Sequence, residues 1–315
     1  AKSNPAEKSE ALSPAHMLGI LTAVQAVTLS SPPPGLSGYS TRFDAGGALA
    51  SIRRSSAAAV AAALSDGKEL LEIEFPPLIE SKGQFDDFSN VEVLDANRDF
   101  GVQLALEPEI QAAASKAELW LCFADEGEAQ LAREAWPGAM YGEATTTYIA
   151  AAVRAVGEEP LMPMGSSALG AASALGALFG GSPPPPPAAP AAPPAALQLV
   201  IQPGDGGPME DWMNLERLRV EGVPMVCLNG ALDKVTSGYY SNFLNPELGR
   251  CSDRFFTRFE QVFYCKPLGA GRGWLYRVYP EPWQCLRETK RGLELVETYA
   301  ERPSPAACLE RLKRP

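Results

Sequence analysis

Histidine is almost missing from this 315-residue chain: His16 is the only one, and it precedes the first Ala-rich helix. Ser-His-Asp and Cys-His hydrolysis need an imidazole inside the folded core, and His-rich metal centres need several, so both classes are set aside. Paired cysteines are missing too. Cys122, Cys227, Cys251, Cys265, Cys285 and Cys308 make no C-x-x-C, and several lie inside apolar runs, a pattern of reduced, buried thiols rather than a zinc or disulfide framework. Basic runs are absent, with 27 Lys and Arg against 38 Asp and Glu and a formal net charge of −11, which argues against nucleic acid as a partner. No apolar run approaches the roughly 20 residues of a membrane-spanning helix, since Met17–Leu29 is broken by Gly19, Thr22 and Gln25. A first residue of Ala rather than Met is the start expected of a chain whose targeting segment has been removed.

What is present is a 46 % hydrophobic composition, enough for a proper core. The expected fold is α/β: a mostly parallel, helix-covered, Rossmann-like sheet with an antiparallel aromatic hairpin at its C-terminal edge. Residues 1–45 read as an extension with one amphipathic helix, Pro14–Leu29. Residues 46–315 read as a single domain, interrupted at about 162–196 by a Gly/Ala/Pro insertion whose five successive prolines suit a spacer. Helices are expected over Ala48–Leu64, over Val93–Gln111 with a restart at Pro108, from Glu126 to Trp136, and over Thr145–Val156. Two more are expected over Met209–Glu221 and Ser252–Cys265, the latter with Phe255, Phe256, Phe259, Val262 and Phe263 as its apolar stripe. Leu70–Phe75, Glu118–Phe123, Leu197–Ile201 and Met225–Leu228 read as strands. Gly273–Gln284, with Trp274, Tyr276 and Trp283 around Pro280 and Pro282, reads as a Pro-cornered hairpin, and Ala306–Leu312 as a closing helix.

Chemistry has few places to sit. Glu72 and Glu74 alternate on one strand, a paired-carboxylate arrangement that more commonly is a solvated face. Gly204-Asp205-Gly206-Gly207 lies between strand and helix, as a phosphate loop would, but Pro208 removes an N–H while Asp205, Glu210 and Asp211 add negative charge. Gly269–Gly273 is read as following a helix, the reverse of a dinucleotide fingerprint. The loop leaving Leu228 is the better candidate, because open α/β sheets place sites at the carboxyl ends of their strands. Asn229, Asp233, Ser237, Tyr239 and Tyr240 would line a polar crevice there, with Arg277, Glu281 and Trp283 of the hairpin nearby. The alternative gives Asn229 and Asp233 to turn geometry, and the tyrosines and Trp283 to packing. No catalytic residue, cofactor or metal is called for.

Several of these segments together resemble a known family. They are Leu71–Pro77, Asp95-Ala96-Asn97, Asn229 with Leu232-Asp233 and Gly238-Tyr239-Tyr240, Phe259-Glu260 with Tyr264 and Pro267-Leu268, and Gly273–Arg277 with Tyr279-Pro280 and Pro282-Trp283-Gln284. The family is a domain of unknown function from plants, algae and cyanobacteria that includes the chloroplast low photosystem II accumulation 3 protein. The resemblance covers roughly Ala57–Glu288, and the insertion departs from it. It implies a chloroplast protein, stromal or peripheral on thylakoids, and for one branch a role in bringing core subunits into photosystem II, with no catalytic residue to carry over; the leading expectation is a non-enzymatic factor that binds photosystem core subunits or other assembly factors. Left open beside it are an enzyme or sensor for a small phosphorylated ligand, and a permanent peripheral subunit of a large plastid complex.

Overall fold

The computed structural model describes residues 48–76, 90–114, 119–136, 144–162, 195–204, 208–240, 245–269 and 272–313. The expected Pro14–Leu29 helix and most of the Gly/Ala/Pro insertion lie outside them.

Nine strands form one sheet in the order β3-β2-β4-β5-β1-β6-β7-β8-β9. The first six positions are mutually parallel: β3 (Thr145–Tyr148), β2 (Leu119–Phe123), β4 (Leu197–Ile201), β5 (Met225–Leu228), β1 (Leu70–Glu74) and β6 (Glu260–Leu268). From β6 the chain turns back on itself through β7 (Gly273–Val278), β8 (Trp283–Thr289) and β9 (Gly292–Tyr299), all antiparallel. The anticipated parallel sheet with an antiparallel aromatic edge is therefore the architecture. β3 and β4, which flank the insertion in sequence, belong to the same sheet two positions apart.

Strand composition explains the layering. β1, β2, β4 and β5 are buried on both faces, as short apolar strands covered by helices on two sides must be. One face packs α1 (Ala48–Ser65), α2 (Asn90–Ala105), α3 (Pro108–Ala113) and α4 (Glu126–Ala135) through Ile52, Val60, Leu104, Ile110 and Ala129 onto Leu71, Ile73, Leu121, Leu199 and Phe263. The other face packs α5 (Ile149–Ala155), α6 (Met209–Leu218), α7 (Leu232–Thr236) and α8 (Pro246–Arg254), with Trp212, Leu215 and Phe255 against Trp120, Cys122 and Cys227. A third, smaller cluster, with Tyr264, Leu275, Trp283 and Cys285, lies beneath α9 (Pro305–Lys313). All six cysteines are free and buried, as their apolar settings suggested.

Helix signals resolve as their chemistry dictates. Asp125 caps α4 by accepting from Glu128 N. Gly67, at φ 74°, closes α1 with its N–H bonded to Leu64 O. Pro108 does restart the helix, as the first residue of α3.

Two expected helices are helical only in part. Thr145–Tyr148 is the edge strand β3, where three β-branched residues extend beside β2, and helix α5 begins only at Ile149. The Ser252–Cys265 segment divides into the end of α8, a 3-10 turn over Phe256–Arg258, and strand β6. Pairing with β1 skips from Gln261 to Phe263, so Val262 is a bulge residue, and Val262 and Phe263 both enter the same core. That bulge erases the two-residue alternation and leaves a spacing that imitates a helix. Consequently the Gly269–Gly273 segment joins two strands. Pro267 is tolerated in β6 because it lies beyond Tyr264, the last residue that β6 pairs with β1.

Close approach of β7 and β8 rests on one missing side chain. A Cβ on Gly273 would stand 2.1 Å from Leu286 O, a backbone atom that cannot move without parting the ladder. Gly273→Ala is expected to lower stability by about 1–3 kcal/mol, read as a fall in urea midpoint at unchanged m-value.

Candidate functional site

The connections leaving β1 and β2 pack on one face of the sheet, and those leaving β3, β4 and β5 pack on the other. Neighbours β5 and β1 thus send their loops apart, which is the topology that opens a crevice at the carboxyl ends of strands. The three non-glycine residues with positive φ among the described residues, Gln202, Asn229 and Ala231, all lie just beyond β4 and β5. Such conformations cost on the order of 1–3 kcal/mol each, so surrounding bonds must hold them.

Amides supply those bonds. Asn229 N donates to Ile73 O at 2.8 Å, and its Oδ1 accepts from Phe75 N at 2.8 Å. Its Nδ2 donates to Asn97 Oδ1 at 2.6 Å, and Asn97 Nδ2 donates onward to Gln202 Oε1. Asn229 is 5 % exposed, so it clips β1, β5, α2 and the end of β4 together rather than lining an open crevice. Its side chain bonds to neighbouring elements, Phe75 N and Asn97, rather than to its own turn.

Asp233 does something else. Its Oδ2 lies 3.0 Å from Lys266 Nζ and 3.7 Å from Arg302 Nη2, and Lys266 Nζ also meets Glu74 Oε1 at 2.8 Å. Glu74 Oε2 accepts from Ala231 N at 3.2 Å, which uses the strained turn as a donor. Burial alone would raise the Asp233 carboxyl, but Lys266 and Arg302 outweigh it and hold it below its ordinary value. Burial likewise works against the Lys266 ammonium, yet Glu74, Tyr264 and Asp233 keep its proton bound above the usual lysine range.

Glu72 overturns the solvated-face reading. Both glutamates of β1 are buried, at 0 % and 6 % exposure, because the sheet carries a helix layer on that side as well. Glu72 Oε2 accepts from Gln261 Nε2 at 2.9 Å, while its Oε1 has no hydrogen-bond partner among the described residues. Burial, with the Glu74 charge adding to it, pushes the carboxyl up to about 7.

Arg302 connects this cluster to the hairpin. It donates to Tyr264 Oη at 2.6 Å and lies over the Tyr264 and Trp283 rings at 4.5 and 5.6 Å. Arg277 also meets the Trp283 ring, at 5.3 Å, while donating to Glu260 Oε1 at 2.7 Å and Glu281 O at 3.2 Å. Trp283 is 2 % exposed and so is a packing anchor. Asp233, Arg277, Glu281 and Trp283 are thereby chained together through Tyr264, which the sequence reading named only as part of a family segment, and through Lys266 and Arg302, which it did not name. A charged residue inside an apolar run, Lys266 between Cys265 and Pro267, is the signal that could have found the cluster.

Ser237, Tyr239 and Tyr240 form a separate patch. Ser237 is exposed on the turn after α7. Tyr239 is 74 % exposed, and its ring meets Tyr240 edge-on at 5.2 Å. Tyr240 in turn meets Trp212 at 5.4 Å, and Trp212 is fully buried with Nε1 donating to Gly230 O at 2.8 Å. Trp212 fits because Gly204 lacks a Cβ, which would stand 2.5 Å from the indole. Among the described residues no group of acids, cysteines and histidine is placed to hold a metal ion, and no helix is long and apolar enough to cross a membrane.

Residues 48–310 match the family described as domain of unknown function DUF1995, and the chain belongs to it. No curated protein and no solved structure matches the chain.

The Glu72 carboxyl makes a pH prediction with a definite sign. Its value rises from 4.5 to about 7 on folding, so between those limits the folded state holds a proton that the unfolded state has released. Stability contributed by this group therefore falls as pH rises from about 4.5 through 7 and levels off above about 8, by on the order of 3 kcal/mol in total. Glu72→Gln should remove that dependence, so the wild-type-minus-variant difference in unfolding free energy should fall as pH rises across that window. A difference that does not vary with pH would show the carboxyl to be ionised throughout.

Proposed function

We propose that this protein is a non-enzymatic chloroplast accessory or assembly factor that binds other proteins in photosystem biogenesis, with Tyr239 as its contact anchor. The observation that carries the protein-binding part is the aromatic ladder Trp212–Tyr240–Tyr239. A tyrosine exposed at 74 % would ordinarily lose side-chain entropy on docking, but this one stands on a ring that stands on a buried indole. Rigid, amphipathic aromatics of this kind dominate the binding energy of protein interfaces. The cations near Asp233, by contrast, are engaged by carboxylates within the fold.

The plastid setting and the photosystem role rest on the resemblance of the Leu71–Pro77, Gly238–Tyr240 and Gly273–Gln284 segments to the family that includes the low photosystem II accumulation 3 protein. A stromal or peripheral thylakoid location agrees with the lack of a membrane-crossing helix among the described residues.

The test is affinity capture of the tagged protein from gently solubilised chloroplasts, followed by mass spectrometry. Photosystem core subunits or assembly proteins should return with the wild type. They should be depleted at least roughly tenfold from a Tyr239→Ala, Tyr240→Ala double variant, the change expected when a hot-spot aromatic worth about 2 kcal/mol is removed. Tyr239→Ala alone, which touches only an exposed ring, should leave the melting temperature unchanged and so separate lost binding from lost folding. A wild type that returns alone would overturn the proposal.

A further inference from the structure

In a chain of net charge −11, four arginines converge on one cleft of about 560 Å³ on the α5–α6–α8 side. Arg217 and Arg219 come from the C-terminal end of α6, and Arg250 and Arg254 from successive turns of α8. Val156, Leu161, Met213 and Val220 form an apolar strip in a wall that is otherwise polar and also carries Glu158, Glu216 and Glu247. The volume is that of a small-molecule site.

The four guanidiniums are not equivalent. Arg254 is held by Glu216 through two hydrogen bonds of 2.5 Å, which neutralises both partners. Arg219 is tied to Glu69 at 3.3 Å, and its Nε has no partner among the described residues. Arg217 gives Nη1 to Glu159 O at 2.9 Å, and no carboxylate among the described residues lies within ion-pair distance of it. Arg250 meets only Glu247, at 3.9 Å, with both side chains more than 60 % exposed at 64 % and 71 %. An ion pair that open contributes little and yields readily to a better acceptor. Two guanidiniums with unspent donors therefore face one partly apolar cleft, while the remaining wall carboxylates, Glu158 and Glu247, sit at the solvent side, where screening is greatest.

We propose that this cleft binds the oxyanion of a small molecule, a phosphate or a carboxylate carried on a small apolar body, with Arg217 and Arg250 as the clamp. Planar guanidinium forks match both oxyanions in two-point geometry, and the apolar strip takes the body. The Arg254–Glu216 pair is a strut that fixes α8 against α6 and so sets the distance between the two forks. This site is separate from the Tyr239 patch: no residue from Asn229 to Tyr240 lines the cleft.

Titration calorimetry of the full chain with phenyl phosphate, benzoate and inorganic phosphate tests it. Phenyl phosphate or benzoate should bind, more tightly than inorganic phosphate, and the stronger of the two identifies the oxyanion. Arg250→Ala, at an exposed position, should weaken binding roughly tenfold, as loss of one charged hydrogen-bonding group does. Arg250→Lys should recover only part, because it restores the charge without the fork. Arg217→Ala should have a similar effect, with circular dichroism to confirm that the Glu159 contact is not needed for folding. Absence of binding by both phenyl phosphate and benzoate, or binding that Arg250→Ala and Arg250→Glu leave unchanged, would overturn the proposal.

Discussion

Burying two carboxylates on the inner face of a central strand is the constraint around which this molecule is arranged. Glu72 and Glu74 lie in the middle of a sheet covered on both sides, where an unpaired charge costs several kcal/mol. Their partners are recruited from all along the chain: the Ala231 N–H from the turn after β5 and Gln261 and Lys266 from β6, with the Arg302 charge added from the approach to α9, while Asp233 of α7, a third acid, shares Lys266 and Arg302. None of these is close to β1 in sequence. The consequence is that the parallel half of the sheet and its antiparallel extension are electrostatically one object, since removing the extension would strip Arg302 from the buried acids. This agrees with a family boundary that runs from residue 48 to 310 rather than stopping at β6.

The polar cluster also lies on a seam. On one side is the apolar cluster under α5–α8, and on the other the smaller cluster of Tyr264, Leu275, Trp283 and Cys285 under α9. Where the helical cover changes from one set to the other, side chains of mixed character must close the gap. Tyr264 and Trp283 do so with apolar rings, 5.1 Å apart, against which Arg302 and Arg277 lay their guanidinium planes. The aromatic density of the C-terminal hairpin is thus explained by packing and cation–π contact at a seam. Tyr279 adds a tether to the far helix layer, its hydroxyl donating to Asp66 Oδ2 at 2.7 Å at the end of α1.

Much of this was legible in the chain. Leu119–Phe123, Leu197–Ile201 and Met225–Leu228 are short, apolar and bounded by turn residues, and each is a strand buried on both faces. What could not be read was whatever depended on a neighbour. The Val262 bulge disguised β6 as a helix because a bulge is specified by the partner strand, not by local periodicity. β3 abuts α5 with no breaker between Tyr148 and Ile149, so a helical reading ran through both. Glu72 and Glu74 looked solvated because alternation gives the face a residue points to but not what covers that face. The site residues follow the same line: the position of Asn229 just beyond β5 was legible, whereas its bonds to Phe75 and Asn97, like the pairing of Asp233 with Lys266 and Arg302, are matters of tertiary distance.

The separation of buried charge from exposed aromatic surface bears on where this protein meets other molecules. A cluster whose cations are already matched by carboxylates inside the fold has little left to offer a ligand, and its conservation of charge balance is a folding matter. Tyr239 has the opposite character: it contributes nothing to the core, yet Trp212, Tyr240 and the two close-packed glycines Gly204 and Gly230 are arranged beneath it. Gly230 admits Cys227 Sγ at what would be 2.4 Å from a Cβ, and its carbonyl holds the indole N–H that fixes the ladder's base. The strained turn beyond β5 therefore serves two neighbours at once: Ala231 gives its N–H inward to Glu74, and Gly230 gives its carbonyl outward to Trp212. Both bonds are made by the single peptide group that joins Gly230 to Ala231, so one plane touches the buried acid on one side and the base of the aromatic ladder on the other.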